Sequence, residues 1–203
     1  MIGVVTGDII KSRGAKSPDI WLENLKKSLQ FIQNDDSKWD IYRGDSFQIE
    51  TTVKDSFKDS IYIKACIKSI PGLDVRLAIG IGSKSFEGEK ITESNGEAFL
   101  FSGETFETLK KEKTTLKIKT ADETLNNELN LYFKLALIAM DNWTENSAEI
   151  VKLAIEQPEA LQETLGKQIG INQTAVSTRM KRAHLDTILE LDTMYRQKVN
   201  QLK

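Results

Sequence analysis

Two acids set in glycine-containing turns are the residues of this chain best suited to chemistry. Asp8 lies in Thr6-Gly7-Asp8-Ile9-Ile10, directly after the apolar run Ile2-Gly3-Val4-Val5, and Asp45 lies in Tyr42-Arg43-Gly44-Asp45-Ser46-Phe47. Two carboxylates on rigid strands suit a hard divalent cation, Mg2+ with Mn2+ as the alternative, whose remaining ligands are water and phosphate oxygens. Each Gly-Asp alone is ordinary turn chemistry. The pairing of the two, with the order of elements below, favours a shared site.

A second group has the residue types for phosphate and base recognition. In Leu165-Gly166-Lys167-Gln168-Ile169-Gly170-Ile171-Asn172, Gly170 is expected to end one helix and Asn172 to cap the next. The following helix carries Gln173, Thr174, Ser177 and Thr178 where a major groove would be faced, with Val176 and Met180 as its apolar positions. Lys167, Arg179, Lys181 and Arg182 form a local cationic patch, with no acid between Gln173 and Leu185. The polar side chains suit base edges and the cations suit phosphates. The plain alternative is a helical hairpin used for packing or dimerisation.

The elements that must position these groups follow from periodicity. Alternation on both sides of Gly44 over Trp39–Glu50 predicts a hairpin, with Gly44 at positive φ. Ile2–Val5 predicts a buried strand beside it, which brings Asp8 towards Asp45. Ser17-Pro18 opens a helix with Trp21, Leu22, Leu25, Leu29 and Ile32 at helical spacing. Phe57, Ile61, Ala65 and Ile70 mark a second helix. Val75, Leu77, Ile79 and Ile81 alternate in a strand, and Ser94-Asn95-Gly96-Glu97 has the form of a capping box opening a third helix. Thr115–Thr120 predicts a short edge strand with exposed lysines.

This order predicts an α+β fold, a ferredoxin-like split βαβ unit with an extra strand, over residues 1–121. From Ala121 the pattern is purely helical, so residues 122–203 are expected to form an all-α, helix-turn-helix domain. Ile188, Leu191, Tyr195 and Leu202 recur near heptad spacing, with Val199 adjoining, which suggests a seam pairing two chains into a homodimer. Lys198 interrupts that seam, and a helix packed back on its own domain is the alternative.

Composition narrows the function. With 39% hydrophobic and 29% charged residues in 203, the chain reads as one ordinary soluble domain or a medium one plus a small one. No apolar run approaches the roughly 20 residues that span a bilayer, so no membrane partner is expected. The sequence starts on a strand with no basic segment before it, so no secretory signal is expected. Together with a single cysteine, Cys66, this points to the cytoplasm. One histidine, His184, argues against a histidine-based triad or a multi-histidine zinc site. A net charge of -2 gives no global attraction to nucleic acid, so binding must come from a local patch.

The stretch Leu165–Arg182 resembles the helix-turn-helix of bacterial transcription regulators and sigma-factor-like domains, departing at Gly166, where alanine is usual. The pair around Asp8 and Asp45, followed by Arg76-Leu77-Ala78-Ile79-Gly80, resembles the palm of class III nucleotidyl cyclases and GGDEF proteins. The whole chain is most similar to the SatD family of bacterial proteins. The palm resemblance implies metal ligation by Asp8, Asp45 and the Ile9 carbonyl, with a nucleotide held near Gly7, Arg43, Gly44 and Asn95. Phe99 and Gly103 stand near the positions where cyclases carry an asparagine and an arginine, and Ser46 and Phe47 replace the acid of the GGDEF signature. These departures favour a nucleotide sensor in a DNA-binding regulator. A nucleotidyl-transfer enzyme and a non-catalytic interaction scaffold stand as the alternatives.

Overall fold

The computed structural model describes residues 1–14 and 17–202. Five strands, β1 (Ile2–Ile10), β2 (Trp39–Tyr42), β3 (Ser46–Thr51), β4 (Asp74–Gly82) and β5 (Leu116–Lys119), form one mixed sheet in the order β2-β3-β1-β4-β5. β1 is central and antiparallel to both β3 and β4, while β5 joins β4 in parallel. The hairpin between β2 and β3 turns through Arg43 at φ 52 and Gly44 at φ 90. Two successive positive-φ residues are what mirror-image hairpin turns require. The sequence points to Gly44 for this geometry, and the chain holds Arg43 there as well.

Period-two alternation gives the sheet two faces. Val5 and Ile9 of β1 join Phe47, Ile49, Leu77 and Ile79 in the main core, packed against α1 (Pro18–Ile32) and α2 (Ser56–Lys68). Cys66 is buried there as a small core residue. Ser17 caps α1 by accepting from the Asp19 N–H, with proline at the first position. On the opposite face, Val4 packs with Ala98 and Phe99 of α3 (Glu97–Glu112). α3 lies close because Gly80 has no side chain: a Cβ there would stand 2.1 Å from the Ala98 carbonyl oxygen. The expected capping box at Ser94 does not form. The N-cap is Gly96 at φ 148, and the Glu97 carboxylate accepts from Ser83 instead.

The β5 edge is closed by side chains of α4 (Glu123–Met140). Asn130 accepts from the Ile118 N–H and donates to its carbonyl, both at 2.9 Å, and Asn126 does the same for Thr120 at 2.8 and 2.9 Å. Asparagines one helical turn apart thus match alternate residues of an extended strand.

The remaining helices are α5 (Glu145–Glu156), α6 (Gln162–Gln168), α7 (Gln173–Arg182) and α8 (Leu185–Val199). The main core runs on past Ala121–Asn126 without interruption. Phe57 of α2 stacks on Phe133 of α4 at 4.4 Å, and the Tyr195 hydroxyl of α8 donates to the Val53 carbonyl. Ile188, Tyr195 and Val199 are buried in this core. They do not project as a heptad seam towards another chain; through Tyr195 and Val199, α8 packs back on its own molecule in the main core, against α2 and α4. A separate small core joins Ile150 of α5, Leu165 of α6 and Val176 of α7.

Candidate functional site

The hairpin of α6 and α7 is built around two glycines. Gly170, at φ 70, reverses the chain after α6. The Ile171 N–H then donates to the Gly166 carbonyl at 2.9 Å, folding the turn onto α6. A Cβ on Gly166 would stand 2.5 Å from the Ile171 carbonyl oxygen and 3.2 Å from Val176. The glycine therefore permits the close turn. Asn172 caps α7 by accepting from the Ala175 N–H at 2.9 Å. Leu165 and Val176 close on Ile150, so α5 braces the hairpin from behind.

Away from that core, α7 presents Gln173, Thr174, Thr178, Lys181 and Arg182 to solvent, with Ser177 half-buried. The helix holds three cations and no acid. They are not equivalent. Arg179 is bound to Glu149 of α5 at 2.7 Å and acts as a brace between the helices. No ion pair among the described residues engages Lys181 or Arg182. Lys167 pairs with Glu163 on an exposed surface at 2.8 Å, where such a contact contributes little and yields readily to a phosphate. Gln173 donates to Gln162 at 3.2 Å, and the Thr178 hydroxyl donates to the Thr174 carbonyl at 2.9 Å.

The two acids of the sheet do come to one end of it. Asp8 lies opposite Ser46 on β3, and the Ile9 N–H donates to the Asp45 carbonyl at 3.1 Å. Both carboxylates are engaged. Arg76, opposite Asp8 on β4, donates to its two oxygens at 2.8 and 2.5 Å, and the Ser12 hydroxyl donates to Asp45 at 2.5 Å. A cation would have to compete with a guanidinium already holding Asp8 bidentately. Among the described residues, no group of three or more histidine, cysteine, aspartate or glutamate side chains is placed to hold a metal ion. In this arrangement Arg76 holds the Asp8 carboxylate that Mg2+ or Mn2+ would need, while the Ile9 side chain packs in the main core.

Of the residues implied for a nucleotide, Arg43 and Gly44 lie at the turn beside Asp45. Gly7 has a packing reason, since a Cβ there would meet the Phe47 ring at 2.5 Å and the Arg76 carbonyl at 2.8 Å. Asn95 is not brought to them. Its carbonyl accepts from the Ser85 and Phe86 N–H groups, just beyond Gly82. Gly82 pairs with Ile2 while Arg76 pairs with Asp8. The length of β1 between those pairs, roughly 20 Å at about 3.3 Å per residue, separates Asn95 from the acids.

One polar cluster has only a faint sequence signal, the i,i+4 pair Asp192 and Arg196. Arg196 donates to Asp192 at 2.6 Å and pairs with Asp55 at 2.8 Å, tying α8 to the start of α2. Burial, and then the nearby Asp55, push the Asp59 carboxyl up to about 8. Burial raises Asp192 too, and its Oδ1 is buried without a partner.

No family model matches the chain, and the searches of curated proteins and of solved structures gave no match. No helix is long and apolar enough to cross a membrane among the described residues.

Proposed function

We propose that the chain is a DNA-binding transcription regulator that reads a major groove with α7. The observation that carries this reading is the α5–α7 unit with its own buried core, which holds an acid-free helix outward by its polar face. Gly170 in the turn and Asn172 at the second helix cap support reading α6 and α7 as a helix-turn-helix. Gln173, Thr174, Ser177 and Thr178 are the base-reading side chains, and Lys167, Lys181 and Arg182 take phosphates. Arg179 supports the helix through Glu149. Selection of bound duplexes from a random pool by the full chain tests the reading. Enrichment of a defined motif is the expected result, and a pool that stays random contradicts it.

The sheet is read as a palm. The order β2-β3-β1-β4, antiparallel throughout, supports a ferredoxin-like reading of these four strands. Asp8, Asp45, Arg43 and Gly44 gather at one end, which favours a nucleotide-sensing role over nucleotidyl transfer, because Arg76 occupies the carboxylate that a catalytic cation needs. Calorimetric titration with nucleoside triphosphates, with and without Mg2+, tests the sensor role. Heat of binding in either condition supports it, and none in both rejects it.

A further inference from the structure

We infer that the outer face of α4 and α8 is an interface with a second copy of this chain. Main-core packing uses Leu129, Phe133, Leu137 and Met140 of α4. The opposite side of the same helix is also apolar: Leu131, Leu135 and Ile138 are 56%, 57% and 70% exposed. Spacing of four and three residues aligns them as one ridge. Beside the ridge runs a groove of about 410 Å³ between α4 and α8, floored by Ala136, Ala139, Ile188 and Leu191.

A ridge flanked by a groove of the same character is self-complementary. In a two-fold contact the same patch serves both partners, so each ridge enters the other copy's groove. The charges around the patch agree with that occupant. Lys134 lies on α4 beyond the ridge, and Glu190 lies on α8 beyond the groove; both are exposed. Neither takes part in an ion pair among the described residues. When the ridge of one copy fills the groove of the other, Lys134 of the first is carried to the α8 rim of the second, where Glu190 stands. The operation is applied twice, so two opposite-charge pairs flank an apolar centre, the arrangement of a specific interface. α8 follows α7 with only Ala183 and His184 between them, so this two-fold would also fix the separation of the two α7 helices. The dimer does not depend on DNA binding.

Light scattering and sedimentation on the full chain test this. A mass near twice 22.9 kDa is expected at concentrations around 10 µM, and a mass of 22.9 kDa throughout overturns the inference. Leu135, 57% exposed in the single chain, is outside the main core, and Leu135→Asp is expected to weaken association by about tenfold or more, with an unchanged circular dichroism spectrum; undiminished association overturns it. Lys134→Glu and Glu190→Lys are each expected to weaken the dimer, and together to restore it. A double variant no tighter than the singles rejects the two-fold arrangement, and because these surface changes do not touch α7, failure here leaves the DNA-binding reading standing.

Discussion

Arg76 of β4 holds Asp8 of β1 through two hydrogen bonds, across a directly opposed pair of the antiparallel ladder. The side chains are 22% and 17% exposed, so the pair is only partly screened. Asp8→Asn leaves the guanidinium with a neutral partner in a half-buried position. A loss of about 1–3 kcal/mol is expected, the range for a charged hydrogen bond broken on one side. Asp45→Asn keeps an acceptor for Ser12 and is expected to change stability by less than about 0.5 kcal/mol. Urea denaturation of the two variants checks the contrast. Equal midpoints would show that the Arg76 contact contributes nothing.

Asn130 is the second structural lock. Asn130→Ala removes both bonds to Ile118 and opens the backbone of an edge strand. About 1–3 kcal/mol of destabilisation is expected, with concentration-dependent aggregation, because an uncovered edge recruits further strands. Thermal melts at two protein concentrations measure both effects.

Gly166→Ala reverses the usual helix rule. Alanine ordinarily favours a helix interior by about 0.5–1 kcal/mol over glycine. Here its methyl would strike the Ile171 carbonyl, and overpacking of that kind costs about 1–3 kcal/mol. The variant is expected to melt below the parent and to lose DNA affinity through displacement of the turn. A higher melting temperature would show that the turn relaxes freely.

Asp59 makes stability depend on pH. Its folded carboxyl titrates at about 8 against an ordinary value of 3.8, so the folded state holds the extra proton between those values. Stability is therefore expected to fall as pH rises from 3.8 to about 8, and to level beyond. Asp55 and Asp192 add to the effect, while Lys58 and Arg196 oppose it. Asp59→Asn removes the titrating group. Denaturation midpoints across this window should flatten in the variant; an unchanged slope would assign it to other groups.

Local pattern carried the elements well. The apolar run Ile2–Val5 located the start of β1, which runs on through Asp8 to Ile10 rather than turning there, and alternation located the hairpin, β4 and β5; Ser17 and Asn172 cap the helices that their positions indicate. What it could not carry is partnership between distant segments. Arg76 meets Asp8 only through the β1–β4 register, which no local spacing encodes. Asn95 follows β4 closely in sequence, yet the chain leaves from the Gly82 end, so it lies away from the acids. The near-heptad stripe of α8 is a true apolar stripe, but periodicity does not say what covers it, and α2 and α4 do. The capping-box pattern at Ser94 fails because Gly96 takes the cap conformation and Glu97 turns to Ser83. The exposed ridge of α4 sits in a helix whose inner face already explains its apolar content.

Fluorescence anisotropy of a selected duplex, titrated with the parent and with Lys181→Gln/Arg182→Gln at several salt concentrations, tests the central claim most directly. Two lost phosphate contacts are expected to weaken binding and to reduce the dependence of log affinity on log salt by about two. Melting temperature should stay unchanged, since neither side chain is held within the fold. Parallel salt curves of equal affinity for parent and variant would contradict the assignment of α7 as the DNA-binding helix.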